Sequence, residues 1–143
     1  CTKQIEPNLK NYCRFKLSSP KYIVEDSKKK ATFIIFVEKK HRYFINFPLS
    51  FKFFSDQKFE TYVNIYYINS EEEKNLLLSK NINFTENVKE NVVYITDVIL
   101  GKIIIEVLLD IKYGNPMVEF QILENSTCEL FKEYKLELNF PNE

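Results

Sequence analysis

Residues 101–113, GKIIIEVLLDIKY, constrain the fold of this chain more than any other segment. Alternate positions are apolar over a run of five, whereas the positions between them include Lys102, Glu106 and Asp110. An apolar period of two is typical of a β-strand, because successive side chains point to opposite sides of the pleat. We therefore predict a strand at the centre of the core. Its inward face is predicted to consist of Ile103, Ile105, Val107, Leu109 and Ile111.

Residues 59–68 alternate in the same way. Thr61, Val63 and Ile65 fall on one face of the predicted strand, and two tyrosines fall on the other. If the first set is committed to the core, then Tyr62 and Tyr66 must face away from it.

Most of the remaining chain also has the pattern of short strands. The Gly-Asn-Pro sequence at 114–116 predicts a turn, so we expect the C-terminal third to form an antiparallel meander. The further predicted strands are 13–17, 22–24, a hairpin over 31–47, 51–54, 92–100, 117–123 and 130–140.

One short helix is predicted, over about residues 70–80. Ser70 precedes Glu73 by three residues, which is the pattern of a capping box. The acidic residues 71–73 favour the positive end of a helix dipole, and three leucines follow at 76–78.

These elements predict an all-β protein, an antiparallel β-sandwich of about 7–9 strands with one short helix. A closed barrel is the alternative, but its corners need more glycines than the two in this sequence. With 143 residues the chain fits a single domain. We place a polar leader at residues 1–12 and the sandwich domain at residues 13–143.

Charge is unevenly distributed along the chain although its formal net charge is zero. Residues 1–60 hold 13 Lys and Arg against 6 Asp and Glu, and residues 61–143 hold 7 against 14. If strands from both halves alternate in one domain, these charges pair with each other. The overall neutrality argues against a nucleic acid partner.

The residues that carry chemistry are few. The only histidine, His41, lies between basic neighbours, which is typical of a solvated hairpin tip rather than of a catalytic base. The sequence has no Gly-rich phosphate loop and no acidic calcium loop. Zinc would need more ligands than this histidine and three scattered cysteines provide. We therefore predict no enzymatic activity, no catalytic residue, no metal and no cofactor.

The sequence starts at Cys1 and continues with a short polar segment. Together with a composition that indicates an AT-rich genome, this start resembles the mature form of a bacterial lipoprotein of the spirochaete, Borrelia-like type. The resemblance implies that Cys1 is lipidated and that the chain is anchored to the bacterial outer membrane, on its surface or periplasmic side. If Cys1 is assigned in this way, Cys13 and Cys128 remain as a candidate disulfide.

Two surface features are candidates for binding. Tyr62 and Tyr66 lie on the outward face of their strand, each two positions from Asn64, where tyrosine offers a large contact area at low entropic cost. The basic group Lys39, Lys40 and Arg42 lies at the predicted hairpin tip and suits contact with anions.

From these features we predict a lipid-anchored envelope domain that contacts a macromolecular partner, possibly a host protein at the cell surface. The alternatives are a periplasm-facing structural or assembly lipoprotein and a carrier of a small apolar ligand.

Overall fold

The computed structural model describes residues 13–39, 49–95, 101–124 and 135–141. These residues form ten strands and one short 3-10 helix at Ile111–Tyr113. The strands are β1 (Cys13–Leu17), β2 (Lys21–Glu25), β3 (Lys28–Lys39), β4 (Leu49–Phe54), β5 (Phe59–Ile68), β6 (Lys74–Phe84), β7 (Glu90–Ile95), β8 (Gly101–Asp110), β9 (Met117–Glu124) and β10 (Lys135–Asn139).

The strands build two antiparallel sheets, which confirms the all-β prediction. The six-stranded sheet has the order β1-β3-β8-β5-β6, and β2 also pairs with β3. Strands β1 and β2 lie end to end along the same side of β3, since β1 pairs with its residues 35–39 and β2 with its residues 28–32. The four-stranded sheet has the order β10-β9-β4-β7.

The core lies between the two sheets and is rich in phenylalanine. Phe33 of the larger sheet meets Phe120 of the smaller sheet edge to face, with ring centroids 4.9 Å apart. Phe51 and Phe53 on β4 also pack on Phe120, at centroid distances of 5.5 and 5.2 Å. These four rings occupy the space in which an apolar ligand carrier would hold its cargo.

Strand β8 is central, as its alternation predicts. It pairs with β3 on one side and β5 on the other, and its inward residues Ile103, Ile105, Val107 and Leu109 are buried. Ile111 was predicted to extend this face but instead begins the 3-10 helix and is only half-buried. The strand ends at Asp110, whose carboxylate accepts a hydrogen bond from the backbone N–H of Lys112.

The predicted helix at 70–80 is wrong, because this segment forms a hairpin turn and strand β6. Asn69 accepts hydrogen bonds through its side chain from the N–H groups of Glu71 and Glu73, each at 2.9 Å. Glu72 has a φ of 61°, which a right-handed helix does not contain. The side chain of Asn69 therefore takes the N–H of Glu73, which is the donor that a capping box at Ser70 would use.

The predicted meander at the C-terminal end is also wrong in one connection. Strands β8 and β9 do not pair with each other, because β8 belongs to the larger sheet and β9 pairs with β4 and β10 in the smaller one. The turn around Gly114, which has a φ of 72°, carries the chain from one sheet to the other. Pairing of β9 with β10 is as predicted.

A buried lysine holds this crossing turn. Lys29 lies on β3 with 2% of its surface exposed. Its ammonium donates hydrogen bonds to the carbonyl of Gly114 and to Oδ1 of Asn115, both at 2.7 Å. The sequence places residues 28–30 outside the strand as a solvated basic cluster, but β3 begins at Lys28 and includes them.

The two long sides of the sandwich are each bridged by one side chain. On one side, the Tyr22 hydroxyl accepts a hydrogen bond from the backbone N–H of Asn139 at 2.8 Å. On the other, the Lys80 ammonium donates to the carbonyl of Val92 at 3.4 Å. Each contact links an edge strand of the larger sheet to an edge strand of the smaller sheet.

Ion pairs join the basic and acidic halves of the sequence, as expected for strands that alternate in one domain. Four lysines before residue 60 pair with carboxylates after it. The pairs are Lys28–Asp110, Lys30–Glu106, Lys52–Glu90 and Lys58–Glu86.

Candidate binding surface

The side of the larger sheet that faces away from the core is called here the outer face. Its residues form rows across the strands because directly paired residues point to the same side. Tyr62 lies between Asn81 and Leu108, and Tyr66 lies between Leu76 and Ile104. The row between these two holds Ser79, Asn64, Glu106 and Thr32.

The outer face is more apolar than the solvated side of a sheet usually is. Tyr62 and Leu76 are exposed, by 43% and 57%, and five further apolar side chains of this face, on β3, β5 and β8, are half-buried. We call this set the outer patch. It consists of Ile34, Phe36, Tyr62, Tyr66, Leu76, Ile104 and Leu108.

Tyr66 lies in a charged cluster in the middle of the outer patch. The Lys74 ammonium lies 3.9 Å from the centroid of its ring, within the range of a cation–π contact. Burial raises the pKa of the Tyr66 hydroxyl, and the charge of Glu106 together with a hydrogen bond to its carboxylate raises it further. Lys74 therefore contacts the ring of Tyr66, and Glu106 contacts its hydroxyl.

Glu106 is the charge at the centre of this cluster. Its carboxylate lies 3.5 Å from the Lys74 ammonium and 3.9 Å from that of Lys30. Only 12% of its side chain is exposed, although sequence alternation places it on a wet face. Two lysines, on β3 and β6, therefore pair with one carboxylate, and the three groups together carry one net positive charge.

Tyr62 lies in a different environment, beside a groove of about 420 Å³ at one end of the outer face. We call this the Tyr62 groove. Leu108, the partner of Tyr62 on β8, also lines it. The other lining residues used below are Lys28, Glu60, Asn81, Asp110 and Lys112.

The polar groups of the groove are held by contacts with each other. The amide of Asn81 donates a hydrogen bond to Oε1 of Glu60 at 2.5 Å. Asp110 forms an ion pair of 3.3 Å with Lys28. The hydrogen bond from the backbone N–H of Lys112 lowers the pKa of Asp110, and the hydrogen bond and charge of Lys28 lower it further.

The structure thus places Tyr62 and Tyr66 on one outer face, as the sequence predicts, but it gives them unequal exposure. Four of the other predicted site residues, Cys1, Cys128, Lys40 and Arg42, lie outside the described part of the chain. For Cys13 and Lys39 only the backbone is described. The Cys13–Cys128 disulfide and the lipidation of Cys1 therefore stay predictions.

Sequence reasoning did not find the Tyr62 groove. The sequence predicts a helix at residues 70–80, which leaves Asn81 away from Tyr62. In the structure these residues form a hairpin with β5, and Asn81 pairs with Tyr62. Leu78, Lys80, Ile82 and Phe84 occupy alternate positions of β6, and the last two are buried. The apolar residues at positions 78, 82 and 84 are the sequence signal that could locate this strand.

Within the described ranges, no helix is long and apolar enough to cross a membrane. The same residues contain no group of three or more His, Cys, Asp or Glu side chains placed to hold a metal ion.

No protein-family model and no curated protein matches this sequence. Among solved structures, the chain is similar to the N-terminal domain of PorA, with a TM-score of 0.39 and 10% identity over 86% of this chain and 84% of that one. It is also similar to beta-glucosidase 3B from Thermotoga neapolitana in complex with alpha-D-glucose, with a TM-score of 0.25 and 6% identity. A beta-glucosidase from Kluyveromyces marxianus gives a TM-score of 0.26 and 14% identity.

The chain covers only 16% and 15% of these two beta-glucosidases, which in turn match 90% and 92% of it. At such TM-scores, none of the three similarities carries an argument about ligand or activity.

Proposed function

We propose that this chain is a binding domain that contacts a protein partner through the outer patch of its larger sheet. One observation carries the proposal. Aromatic and aliphatic side chains occupy positions on three neighbouring strands, β5, β6 and β8, on a face that does not pack against the core. Exposed and half-buried apolar side chains that are grouped on one face and bordered by polar residues are typical of protein interaction sites.

The chemistry of the patch suits a protein more than a charged polymer. Tyrosine is enriched among the residues that dominate binding energy at protein interfaces. In the middle of the patch, the carboxylate of Glu106 is paired with Lys30 and Lys74, so that a partner covering it does not have to desolvate an unpaired carboxylate. A polar row that includes Asn64 and Ser79, joined by a hydrogen bond, separates the two tyrosines.

We propose further that lipid on Cys1 attaches the domain to the bacterial envelope. The support for this is the resemblance to bacterial lipoproteins described above, which includes a composition that indicates an AT-rich genome. Several acyl chains would anchor the domain durably. The mass of the protein taken from native membranes tests the lipid, because a mass equal to that of the bare polypeptide contradicts it.

The partner contact is tested by a photo-crosslinking side chain placed at position 62 in cells that make the protein. Position 94 is the matched control, because Tyr94 is also an outward tyrosine on a strand and is 69% exposed, but it lies on β7 of the smaller sheet. We expect a discrete protein adduct from position 62 and none from position 94. Equal adducts from both positions, or none from either, would contradict the proposal.

Protease treatment of intact cells separates surface display from the periplasmic alternative. Cleavage of the domain on intact cells supports display at the surface. Protection that is lost when the outer membrane is opened supports a periplasm-facing structural or assembly role.

A further inference from the structure

The Tyr62 groove differs in chemistry from the rest of the outer patch. The middle of the patch combines aliphatic side chains with the ion-paired cluster of Lys30, Lys74 and Glu106. The groove combines one exposed aromatic ring with several hydrogen-bonding groups. We infer that the Tyr62 groove binds one or two units of a neutral saccharide. This inference goes beyond the protein contact proposed above and is independent of it.

The aromatic ring is the first argument. The face of a tyrosine ring carries partial negative charge and its edge carries partial positive charge. One side of a pyranose ring presents polarised C–H groups, which pack favourably on such a face. Tyr62 supplies an exposed ring at the groove, and Leu108, its neighbour in the same row, adds apolar surface next to it.

The hydrogen-bonding groups are the second argument. A sugar hydroxyl both donates and accepts, so it is matched by a carboxylate next to an amide, which together offer acceptors and donors. Glu60 and Asn81 form such a pair, and the hydrogen bond between them fixes their relative position. A carboxylate can accept at both oxygens, and a primary amide has a second N–H and a carbonyl oxygen. Both groups therefore keep capacity for a ligand.

Charge balance is the third argument, and it selects a neutral ligand. Two lysines and two carboxylates line the groove. Lys28 is paired with Asp110, which leaves Lys112 and Glu60 as one further charge of each sign. Because the groove has no net charge, it has no electrostatic preference for an anion such as a phosphate or a sulfated glycan.

Size is consistent with a small ligand. The volume of about 420 Å³ lies toward the lower end of the range of small-molecule pockets, roughly 300–1,000 Å³. Because the groove is open and only one of its two aromatic rings, that of Tyr62, is exposed, we expect weak binding, with a Kd on the order of 1 mM.

The test is a titration of the full chain with free trisaccharides, followed by backbone amide NMR. The neutral probes are maltotriose, cellotriose and tri-N-acetylchitotriose, and the acidic control is trigalacturonate. We expect at least one neutral probe to shift the amide signals of Tyr62, Asn81 and Leu108 more than trigalacturonate does. No shift with any neutral probe, or a stronger response to the acidic one, would overturn the inference.

Variants locate the site. Tyr62→Ala is expected to weaken saccharide binding roughly tenfold or more, whereas Tyr62→Phe keeps the ring and the affinity. Asn81→Ala removes the amide without touching the ring and gives an independent loss. Tyr94→Ala is the matched control and should bind like the unchanged protein. Equal weakening by Tyr94→Ala, or full affinity in Tyr62→Ala, would show that the groove is not the site.

The two proposals can fail separately. The titration uses the isolated chain without a protein partner, and crosslinking in cells uses no added saccharide. A negative titration therefore removes the saccharide site and leaves the protein contact as it stands, and the converse also holds.

Discussion

The centre of the outer face and its groove end place chemically identical residues in different roles. At the centre, Tyr66 is held between the Lys74 ammonium and the Glu106 carboxylate. At the groove end, Tyr62 is 43% exposed next to an open volume. Both residues occupy outward positions on β5, two positions apart from Asn64 on either side. Strand alternation thus decides which face a side chain occupies, and the neighbouring strands decide whether it stabilises the fold or is available to a ligand.

A substitution in the core behind this face should lower the free energy of unfolding more than one in either surface region. Val107 lies next to Glu106 on β8 but points inward and has no exposed surface. We expect Val107→Asp to lower the free energy of unfolding by more than ~4 kcal/mol, or to prevent folding, because it buries an unpaired charge. Urea denaturation measures this. Val107→Ile, which keeps the apolar character, should still fold.

Glu106→Ala tests the centre of the outer face. Alternation alone predicts a nearly silent change, whereas the structure shows a carboxylate with 12% of its side chain exposed that contacts two lysines. We expect a loss of about 1–2 kcal/mol in the free energy of unfolding, because a hydrogen bond and two partly exposed ion pairs disappear. A loss below about 0.3 kcal/mol would mean that the centre is no more structured than the groove end.

The pH dependence of stability sharpens the same contrast. The pKa of Tyr66 is raised in the folded state, so folding favours its neutral form. Its contribution to stability is therefore fully present below the pKa of an unfolded tyrosine, about 10, and is lost as the pH rises through the folded pKa. We expect Tyr66→Phe to decline less in stability than the unchanged protein between about pH 9 and pH 11.

Urea denaturation at each pH provides that measurement. An identical decline in the Tyr66→Phe variant and the unchanged protein would contradict the raised pKa of Tyr66 in the folded state.

Tyr62→Ala should produce the smallest effect on stability. The side chain is exposed and contributes little to the core, so the expected change in the free energy of unfolding is within about 0.5 kcal/mol. Tyr66→Ala should lower stability more, because it removes the ring on which Lys74 packs. If thermal denaturation gives the same decrease in Tm for both variants, the distinction between the two regions fails.

Sequence periodicity predicted the strands whose pattern is local. The bounds of β5 match the predicted 59–68, and four of the five predicted inward residues of β8 are buried. These predictions succeed because the pleat forces alternate side chains to opposite faces wherever one face is buried.

The failures arise where non-local pairing or a single side chain decides. The capping box at Ser70 does not form, because the side chain of Asn69 accepts the hydrogen bonds of Glu71 and Glu73. Pairing with β5 along the whole of β6 stabilises the hairpin instead of a helix. The turn at Gly114 looks like a hairpin turn, but sheet membership depends on which strands flank β8 and β9. The Tyr62 groove could be located only with β6 placed next to β5, since its walls come from β5, β6 and the end of β8.

The position of β8 in the larger sheet has a consequence for the order of folding. Strands β1 and β2 pair with β3, and β5 forms a hairpin with β6. Strand β8 pairs with both β3 and β5 and so joins the two groups. Until residues 101–110 arrive, β3 and β5 each present an unpaired edge with an apolar face, which is a template for aggregation.

Pairing across such long sequence separations is slow, typically milliseconds to seconds. The two half-sheets therefore stay unjoined until the central strand β8 pairs with both, and a chaperone that covers strand edges would act during that interval.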